Sequence, residues 1–183
     1  MNDESETATL ANGCFWCSEA IFKRLKGVKS ATPGYAGGTV KNPSYDQVCT
    51  GMTGHAESIQ IEFDPRVIHL DKILNIFWHT HNPTTLNRQG NDVGTQYRSA
   101  IFYHDQKQKE IAEKSKKALE NEGVYKDSIV TEITPFKNFY VAENYHKDYY
   151  DKNKQAPYCN FVIDPKIHKL LQEYENDVKA EYA

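Results

Sequence analysis

The chain has 183 residues, 39% hydrophobic and 26% charged, with a formal net charge of -3 and a pI near 6.2. That length and apolar content fit a single domain spanning residues 1–183 and exclude a disordered chain. The weak negative charge excludes a global basic field for nucleic acid or anionic lipid, and no run reaches the roughly 18 apolar residues of a membrane span.

The start, MNDESETATL, has neither the basic opening nor the apolar stretch of a signal peptide, so a cytoplasmic protein is expected. Thr7–Ala11 reads as a strand leading to a helix over Phe15 to Lys26, with Cys14, Ile21 and Leu25 on one seam and Gly27 ending it. Val28–Gly38 is a strand that breaks into a Gly-rich loop. His55–Phe63 alternates, which puts Glu57, Ile59, Ile61 and Phe63 on one face. Leu70–His81 is a helix stopped by Asn82-Pro83, Thr95–Tyr103 a strand and Asp105–Gly123 a long solvated helix. A strand over Ser128–Thr134 and helices near Ala142–Asp151 and Pro165–Val178 complete the chain. The order predicts an α+β, two-layer sandwich with a ferredoxin-like βαββαβ core and an additional C-terminal strand and helices.

Cys14 and Cys17, in GCFWC, stand three apart where the first helix begins. A free thiol near pKa 8.5 is only about 3% thiolate at pH 7. The unpaired N–H groups and positive dipole end of a helix start favour an anion, which is expected to bring the Cys14 thiol toward about 7. Cys17, one turn on, is within reach, which suits a nucleophile and a resolving thiol that form a transient disulfide. The plainer alternative is two buried small hydrophobes. A lone CxxC also fits a general thiol-disulfide oxidoreductase. No metal is expected, because Cys49 and Cys159 each stand alone, outside zinc-ligand spacing.

Glu57 falls on the apolar face of its strand, where burial raises a carboxyl pKa toward neutrality and makes a general acid. The alternative is a strand-end Glu turned to solvent or paired with a lysine. Tyr45 lies twelve residues before Glu57, and NDVGTQYRS supplies Asp92 and Tyr97.

With these residues assembled, GCFW, GHAE, D-x-GTQYRS and the later AENYHKDYY resemble, in order from Cys14 through Tyr150, the A-type peptide methionine sulfoxide reductases. The resemblance implies that Cys14 attacks the sulfoxide sulfur, Glu57 protonates its oxygen, and Tyr45 and Tyr97 donate hydrogen bonds to it. Asp92 orders the polar side, and Phe15 and Trp16 form the apolar pocket for the S-methyl group. Tyr145, in NYHKDYY, is read either as edging that pocket or as a core tyrosine. The substrate implied is methionine S-sulfoxide, free or in proteins. No bound cofactor is implied.

Condensation of a Cys14 sulfenic acid with Cys17 would give a disulfide for thioredoxin, or dithiothreitol in vitro, to reduce. Many relatives carry Gly at the position of Cys17 and use cysteines in a Gly-rich C-terminal tail. This chain ends instead in LLQEYENDVKAEYA, so the GCFWC subtype and Cys17 as resolver are assigned. Cys159 stays open as a second relay thiol, against a half-buried structural cysteine. Cys49 receives no chemical role, and His55 and His146 are read as ordering loops. A non-enzymatic, metal-clipped interaction module is the remaining alternative.

Overall fold

The structure, a computed structural model, describes residues 4–183, so Met1–Asp3 of the acidic start lie outside the described residues. Strand β1 (Glu6–Asn12) alternates two ways. Ala8 and Leu10 face the helices, whereas Ala11 faces the opposite side. Gly13, at φ +101°, then bends the chain into helix α1 (Phe15–Phe22). A Cβ on Gly13 would stand 2.7 Å from Gln89 Cγ, so both the backbone angle and the space call for glycine.

Strand β2 (Val28–Ala36) is followed by a short helix α2 (Tyr45–Cys49), strand β3 (Ala56–Phe63) and helix α3 (Leu70–His79). A two-residue pair, β4 (Arg88–Gln89) and β5 (Asp92–Val93), precedes strand β6 (Ser99–Tyr103), helix α4 (Gln106–Glu122) and strands β7 (Glu132–Pro135) and β8 (Phe139–Val141). The chain closes with the single turn α5 (Tyr149–Lys152) and helix α6 (Asp164–Glu173), followed by short 3-10 turns.

Six strands form one sheet in the order β7-β6-β1-β3-β2-β8. All neighbours are antiparallel except β6 and β7, which the crossover helix α4 joins in parallel. The main core lies between the sheet and the helices. It joins Ile59, Ile61 and Phe63 of β3 to Ile21 and Phe22 of α1, Ile73 and Phe77 of α3, Leu119 of α4 and Leu170 of α6. Each such side chain contributes roughly 1.5–3 kcal/mol by leaving water. The other sheet face carries small residues, Ala11, Ala36, Ala56 and Ala100, under Phe102, Phe136 and Phe139. This mixed α+β architecture agrees with the class expected from the sequence.

Several boundaries differ from expectation, each for a local reason. The first helix stops at Phe22 rather than Lys26, in a turn that ends at Gly27 (φ +86°). The strand expected from Thr95 begins only at Ser99. Thr95–Tyr97 curls into a 3-10 turn tied to the 49–51 loop, where Gln96 Nε2 donates to Cys49 O at 3.4 Å and Thr95 Oγ1 to Gly51 O at 3.5 Å. The strand expected over Ser128–Thr134 is confined to Glu132–Pro135, the stretch that pairs with β6. The helix expected over Ala142–Asp151 is broken into a 3-10 turn, Asn144–His146, and α5, because Asp148 between them takes φ +56°. The last helix begins at Asp164 after a π-helical turn, Cys159–Ile163, and ends at Glu173. Helix α2 escaped the sequence reading although Ser44 and Gln47 give it a complete capping box.

Candidate active site

Three segments converge on the N-terminus of α1. Cys14 is its N-cap, and its carbonyl accepts from the N–H of Cys17 at 3.1 Å. Both thiols are free and buried, Cys14 to 7% and Cys17 to 2% exposure. Glu57 reaches the same point from β3. Its carboxyl, 1% exposed, accepts at Oε1 from the backbone N–H of Phe15, the first residue of α1, at 3.2 Å. The helix end that the sequence assigned to a cysteine thus also holds a carboxyl.

Burial pushes the Glu57 carboxyl up to about 8. The Phe15 N–H opposes that shift, while Asp92 and Cys17 add to it. A neutral acid at neutral pH follows, as expected from the alternating strand.

The thiols differ from expectation. Burial raises Cys14 well above the ordinary thiol value, and the neighbouring Cys17 and Glu57 raise it further, so the helix-end field does not dominate. Cys17 is the thiol brought down to about 7, chiefly by its hydrogen bond with Cys14 and against burial. In the resting site Cys17 is therefore the more acidic thiol of the pair, and the burial that holds Cys14 up is something motif spacing does not express.

Tyr45, on α2, and Tyr97, on the 3-10 turn, are half-buried, and both sense the charge of Glu57. Burial and that carboxyl raise each phenol, which keeps both hydroxyls protonated donors. Asp92, on β5, accepts from Tyr158 Oη at 2.7 Å, and Tyr158 Oη also lies 3.9 Å from Cys17 Sγ. Tyr158, the neighbour of Cys159 in APYCNF, carries no local sequence signal for this place, since both partners of its hydroxyl are distant along the chain.

The two aromatic residues after Cys14 separate. Phe15 has no exposed surface and packs on Tyr35 and His146, at ring-centroid distances of 5.7 and 4.8 Å. Trp16 is half-buried and stacks on Tyr149 at 3.6 Å and 7°. Trp16 Nε1 donates to Nδ1 of His146, a buried residue whose ring also meets Tyr45 and Tyr145 at 4.6 and 4.1 Å. Tyr145 itself is 59% exposed at the rim. Glu143 ties this side together: it accepts from Tyr35 Oη and from the N–H of Tyr45, each at 2.9 Å.

Cys159 is fully buried in the main core, and its thiol is raised by burial and, to a lesser degree, by Asp164 and Cys17. Cys49 is exposed beside Tyr45. Among the described residues no three His, Cys, Asp or Glu side chains are grouped to hold a metal ion. A surface cavity of about 790 Å³ between α3 and α4 shares no residue with this site.

A buried dithiol facing a neutral carboxyl, with protonated phenols around that carboxyl and a stacked indole beside it, is the apparatus of a thiol-dependent reductase. It can attack an electrophile while protonating an oxygen that leaves it. The chain belongs to the family described as peptide methionine sulfoxide reductase, whose family model matches residues 6–179. A curated relative, peptide methionine sulfoxide reductase MsrA of Sulfolobus acidocaldarius, is 57% identical over 169 residues, covering 92% of this chain and 95% of the relative. The crystal structure of reduced Mxr1 from Saccharomyces cerevisiae is 37% identical with a TM-score of 0.79, over 87% of this chain and 91% of that one. A structure of the same yeast protein in complex with Trx2 is 26% identical with a TM-score of 0.55, over 81% of this chain and 87% of that one.

Proposed function

We propose that the protein reduces methionine S-sulfoxide, free or within polypeptides, to methionine and so repairs oxidised proteins. The observation that carries this is the Glu57 carboxyl, buried and neutral, held by the Phe15 N–H at the start of the helix that bears both thiols. Sulfoxide oxygen leaves poorly unless protonated, so the reaction needs such an acid at neutral pH. A general dithiol-disulfide oxidoreductase has no departing oxygen for such an acid to protonate.

In this reading Cys14 sulfur attacks the sulfoxide sulfur while Glu57 protonates the oxygen and Tyr45 and Tyr97 hydrogen-bond it. The Cys14 proton passes to the anionic Cys17. The oxygen ends on Cys14 as a sulfenic acid, and methionine leaves. Cys17 thiol then condenses with that acid, releasing water and forming the Cys14–Cys17 disulfide. Two electrons must come from outside, and the complex of yeast Mxr1 with Trx2 supports thioredoxin as their source. Dithiothreitol serves in vitro. Asp92 orders Tyr158, and through it Cys17, while Trp16 supplies the apolar contact for the S-methyl group, backed by Phe15. Cys159, walled into the core, is a packing residue in this scheme.

The reading needs no metal or prosthetic group. Residues 1–183 act as one catalytic domain in the cytoplasm, and among the described residues no helix is long and apolar enough to cross a membrane. The inner strand order β6-β1-β3-β2, all antiparallel, supports a ferredoxin-like core within the larger sheet. The test is single turnover of the reduced protein with resolved sulfoxide epimers. Methionine should form from the S epimer with a mass consistent with a Cys14–Cys17 link. Turnover of the R epimer alone, or full activity in Cys14→Ser, overturns the proposal.

A further inference from the structure

Helix α1 carries a second function-bearing stripe, away from the sulfur. Trp16, Glu19 and Lys23 follow at i, i+3 and i+7, the spacing of one helix face, and all three meet the segment His146–Asp151. Glu19 is 2% exposed, and its Oε1 accepts from the backbone N–H of Asp148 at 2.8 Å. Asp148 is the residue at φ +56°, a left-handed conformation that non-glycine residues adopt at a cost of roughly 1–2 kcal/mol. Its side chain pairs with Lys23 at 2.9 Å. Lys23 also pairs with Asp151, as does Arg24, the latter at 2.8 Å.

On either side of this strained residue stand His146, which accepts from the Trp16 indole at 2.9 Å, and Tyr149, which stacks on it at 3.6 Å. We infer that Glu19 is a positioning residue for the substrate pocket: by holding the left-handed turn at Asp148 it fixes the His146–Tyr149 strap, and with it the plane of Trp16, where the S-methyl group binds. The groups facing its carboxyl are Asp148 and Asp151 from the strap and Lys23 from its own helix.

This inference rests on the sulfoxide-reductase reading for its consequence, but its geometry can be tested without turnover. Glu19→Ala removes the acceptor, whereas Glu19→Gln keeps a carbonyl oxygen for the Asp148 N–H. In Glu19→Ala, KM for a methionine sulfoxide peptide should rise about tenfold, the loss expected for one hydrogen bond to a charged group. The kcat should stay near wild type, because Cys14 and Glu57 do not lie on the strap. Glu19→Gln should return KM to within about threefold.

Intrinsic emission of the reduced, substrate-free protein, to which Trp16 and the buried Trp78 both contribute, should brighten and shift to the red in Glu19→Ala, as the Trp16–Tyr149 stack is lost, and remain native in Glu19→Gln. The change should be absent when Trp16→Phe is present in both backgrounds. Should Glu19→Ala fail to fold, Lys23→Met loosens the same strap from its partly exposed side and should move KM and fluorescence in the same direction. Native KM and emission in Glu19→Ala, or a Gln variant as impaired as the Ala variant, overturns the inference. Absence of sulfoxide turnover in the wild type would instead strike the functional reading, and the emission comparison would still judge the strap.

Discussion

Replacing Glu57 by Gln separates what the carboxyl does for the fold from what it does for the reaction. With a folded-state pKa of about 8, the group is roughly nine-tenths protonated at pH 7. Between the unfolded value of 4.5 and about 8 the folded protein holds a proton that the unfolded chain releases, so stability falls as pH rises through that window and levels off above it. At about 1.4 kcal/mol per pH unit, the wild type loses roughly 3 kcal/mol from this group by pH 7 and about 4 by pH 8.

Gln keeps the shape and an acceptor for the Phe15 N–H but carries no titrating proton. The stability of Glu57→Gln relative to wild type should therefore improve by about 3.5 kcal/mol from pH 5 to pH 8, on the order of 10 °C in Tm. The same change removes the proposed general acid, and single-turnover sulfoxide reduction should slow by about 10²–10⁴-fold at pH 7. In the wild type the rate should rise through about 7, as the Cys14–Cys17 pair loses a proton, and fall through about 8 as Glu57 ionises. The alkaline fall should be absent in Glu57→Gln. Thermal melts and rapid-quench rates across pH give both halves of the comparison. A variant within tenfold of the wild-type rate, or a stability difference that does not widen with pH, refutes the assignment.

Cys17→Ser should reduce one equivalent of sulfoxide and stop, leaving Cys14 as a sulfenic acid visible as one added oxygen by mass spectrometry. Continued thioredoxin-supported turnover would remove Cys17 as the resolving thiol. Tyr158→Phe deletes the hydroxyl shared by Asp92 and Cys17, so the Cys17 thiol should titrate above about 7 and disulfide formation should slow about tenfold. Alkylation rates against pH report the first effect and quenched mass spectrometry the second, and an unchanged Cys17 titration would show that the phenol is a bystander.

The parts legible in the sequence were those governed by short-range pattern. Alternation along β3 put Glu57 on the side of Ile59 and Ile61, and burial did the rest to its proton affinity. The GCFWC spacing set both sulfurs in the first turn of a helix. What spacing could not carry was solvent. The helix-end field is a local property and was counted, whereas the desolvation of Cys14 comes from residues distant in sequence and outweighs it. Tyr158 escaped for a related reason: its partners, Cys17 and Asp92, lie 141 and 66 residues away, and nothing local marks its hydroxyl. The break at Asp148 was hidden too, since an aspartate gives weaker notice of a left-handed turn than a glycine would.

Enclosure of the dithiol also bears on survival. Peroxides attack thiolates that they can reach, and here Cys14, the proposed nucleophile, has its thiol held up by burial and almost wholly covered, at 7% exposure. A catalyst needed most under oxidant attack thereby keeps its proposed nucleophile sheltered between turnovers.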